Sequence, residues 1–250
     1  MMVELVNVYK RLGGRNILNG LSVSIDRGET LVIVGPSGTG KSVTLNHIIG
    51  LMAPDRGSIR VMGREVPELS ARELREYRSK VGMLFQSGAL LGWMTVYDNI
   101  ALPLRERFRM PEGKIREKVG EILAFLNMTD SAEKFPNEIS GGMQKRAGLA
   151  RAVVCDPEIM LYDEPTSGLD PVMSRKIDAL IVSLQKRFGM TSVVVTHDLC
   201  SAFGIADRIA MLSGGQVVEF GTPEEFKNSK NELVREFIHA QFSIHIQTGG

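Results

Sequence analysis

The chain has 250 residues, of which 43% are hydrophobic, so it can form one large domain or two small ones with a real core. Its 30 Lys and Arg residues nearly balance its 29 Asp and Glu residues, which argues against a nucleic-acid-binding protein and against attraction to an anionic membrane. Two cysteines without metal-type spacing imply no disulfide framework, and neither a signal peptide nor a membrane-spanning run is evident. We therefore expect a soluble protein of a reducing, cytosolic setting, or one held at a membrane by a partner.

Short strand patterns fill the first quarter of the chain. Leu21, Val23 and Ile25 alternate with polar residues, and the alternation returns at 59–61. The apolar run at 30–34 is typical of a buried strand, and the loop after it leads into a helical spacing of apolar residues. We predict short antiparallel strands wrapped around this buried strand and its helix.

The loop between that strand and helix fits the pattern G-x-x-x-x-G-K-[ST] at every fixed position; it reads Gly35, Pro36, Ser37, Gly38, Thr39, Gly40, Lys41 and Ser42. Its glycines let backbone N–H groups face phosphate oxygens, and the start of the helix adds free N–H groups and a positive dipole end. We predict that Lys41 reaches the β- and γ-phosphates, that Ser42 binds Mg²⁺, and that Thr44 belongs to the same nucleotide site. Kinases, GTPases and transport motors all use such a loop.

The rest of the chain alternates strands with helices. Residues 95–154 are mainly helical, with one helix starting near Pro111. A later helix runs from an N-cap at Asp170 to a stop at Gly189. Further buried strands are predicted at 81–85, 159–162 and 193–195. This alternation predicts an α/β fold with a mostly parallel sheet covered on both faces.

The last quarter of the chain ends in a hairpin and a helix. Residues 209–212 and 217–220 flank a glycine-containing turn, and Thr222 begins a capping box. One final helix is predicted, with an apolar side made of Phe226, Leu233, Phe237 and Ile238. This apolar side packs either on the protein's own core or against a second chain.

Two further stretches carry chemistry. The predicted strand at 159–162 ends in Asp163 and Glu164, of which the first suits Mg²⁺ and the second suits polarising a water that attacks the γ-phosphate. Ser140, Gly141 and Gly142 precede another helix and form a second anion-binding helix start. A head-to-tail dimer, in which each chain closes on the nucleotide of the other, would use both sites; a flexible loop before a core helix is the simpler alternative.

The chain resembles the ABC ATPases over nearly its whole length, because the family's motifs stand in the family's order: Gly35–Ser42, Gln86, Ile139–Gln144, Asp163-Glu164, Ser167–Asp170 and His197. The resemblance implies a P-loop NTPase with a RecA-like core and an N-terminal antiparallel β-subdomain at 1–94 and 156–222. It further implies an inserted helical signature subdomain at 95–155 and a C-terminal helix and tail at 223–250.

The same resemblance implies ATP and Mg²⁺ as ligands and assigns the site residues. The catalytic residues are Lys41, Gln86, Glu164 and His197, and the metal is held by Ser42, Gln86 and Asp163. The nucleotide also contacts Ser140, Gly141, Gly142 and Asp170. Two positions depart from the family pattern: Met143 holds the place of the signature glutamine, with Gln144 one residue later, and Leu12 holds the place of the adenine-stacking aromatic, with Tyr9 three residues earlier.

Residues 83–91, 96–104 and 140–143 resemble the ATPases of Mce-type lipid transporters, the Mla class. This resemblance implies a homodimer on the cytoplasmic face of the inner membrane, bound to permease subunits and an Mce-type lipid-binding protein, with no nucleic-acid partner. The alternative is the ATPase of a small-solute importer, such as one for polar amino acids. A DNA-associated ATPase would insert long coiled coils between Lys41 and Ser140, and a translation factor of the family would carry two cassettes; neither feature is present.

Overall fold

A computed structural model describes residues 1–242 and divides the chain into two compact units. The first unit contains Met1–Leu74 and the chain from Val193 onward, and the second contains Arg75–Ser192. The phosphate loop and His197 belong to the first unit, whereas the signature and the acidic strand end belong to the second. Within residues 1–242, no helix is long and apolar enough to cross a membrane.

Three strands precede the first helix, and strands and helices are interspersed after it. The strands are β1 (Val3–Leu12), β2 (Arg15–Ile25), β3 (Thr30–Val34), β4 (Arg56–Val61), β5 (Arg64–Glu65), β6 (Val81–Leu84), β7 (Ile159–Asp163), β8 (Thr191–Thr196), β9 (Arg208–Ser213) and β10 (Gln216–Gly221). The helices are α1 (Lys41–Ile48), α2 (Ala71–Ser79), α3 (Val96–Glu106), α4 (Glu112–Phe125), α5 (Gly141–Val153), α6 (Pro171–Phe188), α7 (Leu199–Ile205), α8 (Pro223–Lys227) and α9 (Glu232–Phe242).

The first unit contains an antiparallel sheet with strand order β2-β1-β4-β5. In this sheet Val3 lies opposite both Ile25 and Val61, and all three side chains are fully buried. A second set of strands follows the order β10-β9-β3-β8, with β3 parallel to β9. All five residues of β3 are buried, which is why this strand reads as an unbroken apolar run. The fold class predicted from the sequence, an α/β P-loop fold with an N-terminal antiparallel sheet, is confirmed.

In the second unit, β6 pairs with β7 in parallel, and Leu84 lies opposite Tyr162. Both strands therefore finish at the same edge, where Asp163 ends β7 and Gln86 lies two residues after β6. The predicted limits of α6 are also confirmed. Asp170 caps its start, and Gly189 ends it in the left-handed conformation with φ 63°. The division into a core and an inserted subdomain at 95–155 stays a prediction.

The sequence prediction of one final helix is wrong, because the structure has two helices there. Phe226 lies on α8, and the chain leaves the helical path before α9 begins. Side-chain hydrogen bonds compete for this backbone: Asn228 donates to the Glu224 carbonyl at 3.0 Å, and the Ser229 hydroxyl accepts from the Asn231 N–H at 3.1 Å. The apolar side also differs from the prediction, since Val234 is buried whereas Leu233 is 45% exposed. Residues 243–250 of the predicted tail lie outside the described residues.

Candidate functional site

The phosphate loop of the first unit depends on glycine at two of its positions. Gly35 and Gly40 have φ values of 148° and 103°, which other residues rarely adopt. A Cβ atom on Gly35 would lie 2.3 Å from the Leu212 carbonyl oxygen, and one on Gly40 would lie 2.7 Å from Cδ2 of Leu18. The loop can therefore follow this path only without side chains at these two positions.

Polar side chains fold back onto the same loop. The Lys41 side chain is only 7% exposed, and its Nζ donates to the carbonyl oxygens of Gly35 at 2.7 Å and Pro36 at 3.0 Å. The Thr39 hydroxyl donates to the Pro36 carbonyl at 2.9 Å. Ser42 lies exposed in the first turn of α1, whereas Thr44 is fully buried and its hydroxyl donates to the Gly40 carbonyl at 3.0 Å. Lys41 and Ser42 thus stand at the helix start that the sequence predicted for them.

His197 lies exposed in the first unit, directly after β8, the strand beside β3. Asp198 caps the start of α7 and accepts a hydrogen bond from the Ser201 N–H at 3.1 Å. The Gln241 side chain, on α9, donates to the His197 carbonyl and accepts from the Leu199 N–H at 2.9 Å. The histidine is therefore carried on a short segment that is fixed at both of its flanks.

In the second unit, the ends of β6 and β7 bring together three residues of the predicted site. Gln86 is exposed, and its amide donates to the Ser167 hydroxyl at 3.1 Å. Glu164 follows Asp163 with φ 48°, a left-handed backbone that is uncommon for a non-glycine residue. Its carbonyl oxygen accepts a hydrogen bond from the Ser167 N–H at 3.2 Å. Gln86 and Glu164 are thus linked through Ser167.

Lys145 also belongs to this cluster, and the sequence reasoning missed it. It lies on α5, is 6% exposed, and its Nζ donates to the carbonyl oxygens of Gln86 and Glu164. Burial lowers the pKa of Lys145, and the nearby carboxylates of Glu164 and Asp163 oppose that shift. A signal was present in the sequence, because Lys145 shares a helical face with Gly142 and Leu149, both of which are buried.

The signature residues of the second unit lie beside the start of α6. Ser140 caps α5 and accepts from the Met143 N–H at 3.4 Å, and a Cβ on Gly142 would lie 2.6 Å from Cε of Met173. Asp170 accepts hydrogen bonds from the N–H groups of the first turn of α6, at 2.9 and 3.0 Å. The Gln144 amide donates to the Pro136 carbonyl at 2.8 Å, so it is engaged within its own unit.

The two candidate adenine contacts lie on β1 and are partly exposed, Tyr9 by 40% and Leu12 by 37%. The Tyr9 ring lies over Gly20 of β2, where an added Cβ would come within 3.0 Å of the tyrosine hydroxyl. The choice between these two residues stays open.

A family model described as ABC transporter matches residues 18–167, which include the phosphate loop, the signature and the two carboxylates. The chain belongs to the ABC transporter family. This agrees with the order of motifs in the sequence and with the glycine-dependent loop between β3 and α1.

The names of similar ABC proteins refer to different transport systems. The chain is 45% identical to the probable ribonucleotide transport ATP-binding protein mkl of Mycobacterium tuberculosis, over 96% of this chain and 67% of the relative. It is 38% identical to the intermembrane phospholipid transport system ATP-binding protein MlaF of Haemophilus influenzae, over 96% of this chain and 91% of the relative. It is 37% identical to the methionine import ATP-binding protein MetN of Rhizobium etli, over 98% of this chain and 69% of the relative.

Solved ABC structures share the fold. The dimeric ATP-binding cassette MJ0796, in a post-hydrolysis state bound to ADP and Pi, matches with a TM-score of 0.81 and 35% identity over 89% of this chain and 99% of that one. The cbiO1 subunit from Clostridium perfringens matches with a TM-score of 0.84 and 27% identity over 98% and 96% of the two chains. The protein is therefore an ATP-binding ABC subunit and an ATPase.

Proposed function

We propose that this ATPase is the motor subunit of a phospholipid transporter that works with an Mce-type permease complex between the inner and outer membranes. The proposal rests on the resemblance of the segment 83–104 to the Mla class. It also rests on the similarity to the Haemophilus MlaF protein over 96% of this chain. The second candidate is a small-solute importer, which the similarity to methionine import proteins favours. Both candidates place the chain on the cytoplasmic face of the inner membrane, bound to permease subunits.

In the proposed reaction, Glu164 is the general base that polarises the attacking water, and Lys41 anchors the β- and γ-phosphates. Gln86 would contact Mg²⁺ and the attacking water, and His197 would contact the γ-phosphate. The donors proposed for Mg²⁺ are a hydroxyl from Ser42, an amide oxygen from Gln86 and a carboxylate from Asp163. This all-oxygen set fits a hard cation that usually keeps several waters and takes few carboxylates.

We propose a homodimer in which Ser140, Gly141 and Gly142 of one chain complete the ATP site of the other. Support comes from the dimeric state of the similar cassette with ADP and Pi. Mixing a Lys41→Ala chain with a Ser140→Arg chain should form heterodimers with one intact site. ATPase activity above that of either variant alone is the expected result, and its absence in heterodimers shown to form would argue against independent composite sites.

The proposed permease contact is the segment that follows β6. Trp93 is 75% exposed and Phe85 is 39% exposed, whereas buried Asn99 fixes the backbone between them. The Asn99 side chain accepts from the Leu91 N–H at 2.7 Å and donates to the Leu91 and Met94 carbonyls. A large apolar side chain held outward on a fixed loop suits a helix from a membrane partner.

The catalytic assignment is tested with Glu164→Gln, which should bind ATP and lose turnover by about a hundredfold or more. The variant should also accumulate as an ATP-bound dimer on gel filtration. Lys41→Ala should instead weaken ATP binding itself. Wild-type turnover by Glu164→Gln would show that the base is another residue.

The cargo is tested by purifying the complex from membranes and extracting what it carries. Bound phospholipid, with ATP-dependent movement of labelled lipid in proteoliposomes, is the expected result. Trp93→Asp should lose the membrane partner and keep ATP binding, whereas Phe108→Asp, at another exposed aromatic of the same unit, should keep both. Hydrolysis stimulated only by a soluble amino acid and its binding protein would favour the importer.

A further inference from the structure

We infer that Lys145 is a positioning residue that joins the signature helix α5 to the backbones of Gln86 and Glu164. The inference rests on the catalytic roles proposed for Gln86 and Glu164. Its basis is that one buried side chain donates hydrogen bonds to the carbonyl oxygens of both residues. Side chains that hold reacting groups in place from behind commonly matter for activity almost as much as the groups themselves.

The backbone of Glu164 needs such a support. Its φ of 48° is left-handed, a conformation that is strained for a residue with a side chain. The Glu164 carbonyl oxygen accepts from Lys145 Nζ and from the Ser167 N–H, both at 3.2 Å. These two bonds favour the orientation of the peptide that this strained conformation requires, so Lys145 helps to aim the Glu164 carboxylate.

The segment after Gln86 is held on α5 by more than Lys145. The Arg151 guanidinium donates to the carbonyl oxygens of Gly88 at 3.0 Å and Ala89 at 2.8 Å. An added Cβ on Gly148 would lie 2.9 Å from the Gly88 oxygen, so the two backbones are in direct contact. Arg151 and the glycine contact fix the segment at one end, and Lys145 fixes it at Gln86.

This arrangement gives α5 a defined role. The helix begins at Ser140, which caps it, and Lys145 lies on its buried face. A shift of the signature residues would therefore act directly on the backbones of Gln86 and Glu164 through Lys145. Lys145 should consequently affect the rate of hydrolysis more than the affinity for ATP.

The test compares Lys145→Met, which keeps the length of the side chain and removes its donors, with Lys80→Met. Lys80 lies in the same unit and pairs with Glu158 at 2.9 Å, away from this cluster. Lys145→Met should lower kcat about 10- to 100-fold with an unchanged Kd for ATP, whereas Lys80→Met should change neither. If Lys145→Met does not fold, Lys145→Gln, which keeps an amide N–H donor on a side chain one bond shorter than that of lysine, should lower kcat by less and leave the Kd for ATP unchanged. A folded variant with the kcat of Lys80→Met overturns the inference.

A double-mutant cycle separates positioning from general stability. In the Glu164→Gln background, Lys145→Met should reduce the residual phosphate release little further, because the group that it aims is already gone. Fully additive losses would mean that Lys145 acts on the fold at large, and the inference would fall. Wild-type turnover by Glu164→Gln alone would overturn the proposed catalytic base, whatever Lys145→Met does, so the two failures are distinguishable.

Discussion

The phosphate loop and the Lys145 cluster are both built from carbonyl oxygens and a buried lysine, but the origins of their contacts differ. In the loop, Lys41 bonds to carbonyls six and five residues away, and Thr39 to one three residues away. In the cluster, Lys145 bonds to a carbonyl 59 residues away, and Arg151 to one 63 residues away. A short motif specifies the hydrogen bonds within the loop, whereas those of the cluster exist only after α5 has packed beside β6 and β7.

The comparison predicts the largest effect for Gly35→Ala, in the phosphate loop. The new Cβ would meet a backbone oxygen at 2.3 Å, which no side-chain movement can relieve. The free energy of unfolding should fall by about 3 kcal/mol. ATP binding should be lost as well. Urea titration and nucleotide binding check it. Gly28→Ala is the control, because Gly28 has φ +76° with nothing within 4 Å, so strain alone should cost about 1 kcal/mol.

A smaller effect is expected for Gly148→Ala, in the cluster. Alanine should favour the helix, but its Cβ would meet the Gly88 oxygen at 2.9 Å and Cδ1 of Leu84 at 3.1 Å. The segment after Gln86 should be displaced, with a loss of about 1–2 kcal/mol and a fall in kcat. Gly120→Ala, on α4 with nothing within 4 Å, should instead stabilise the protein by up to about 1 kcal/mol. Equal behaviour of the two variants would contradict the close packing.

The smallest effect is expected for a buried titratable side chain on α1, the helix that follows the phosphate loop. His47 on α1 is fully buried, with Nδ1 2.7 Å from the Val43 carbonyl oxygen. Burial lowers its pKa below the ordinary 6.5, Lys10 adds to that shift, and Asp55 opposes it. Because the folded pKa lies below the unfolded one, the stabilisation is complete above about pH 6.5 and is lost as the pH falls towards the folded pKa.

The titration of one group can change the free energy of unfolding by at most about 1.4 kcal/mol per pH unit. The free energy of unfolding should therefore fall between pH 7 and 5 in the wild-type protein, and His47→Gln should reduce that slope. His239, which is exposed on α9, supplies the matched control His239→Gln, and the slope should persist there. A slope unaffected by His47→Gln would assign the acid sensitivity to other groups.

The sequence by itself determined the family, the α/β fold class and the phosphate-loop motif, because these are encoded in motifs and periodic patterns of neighbouring residues. Strand β3 is an apolar run before a glycine loop, and Asp170 and Gly189 set the limits of α6 through their own caps. The Thr222 capping box is equally local, with the Thr222 N–H donating to Glu225 at 2.7 Å. Such features are written in neighbouring residues, and the sequence alone therefore reveals them.

Only the tertiary structure decided which side chains meet across long stretches of sequence. It buried Val234 rather than Leu233 on α9. It also placed Lys145 against Gln86 and Glu164. A pattern of apolar residues defines a helical face, but the partner of that face depends on the packing of elements distant in sequence. The contacts of Lys145, on the buried face of α5, therefore follow only from the packing of this helix beside the ends of β6 and β7.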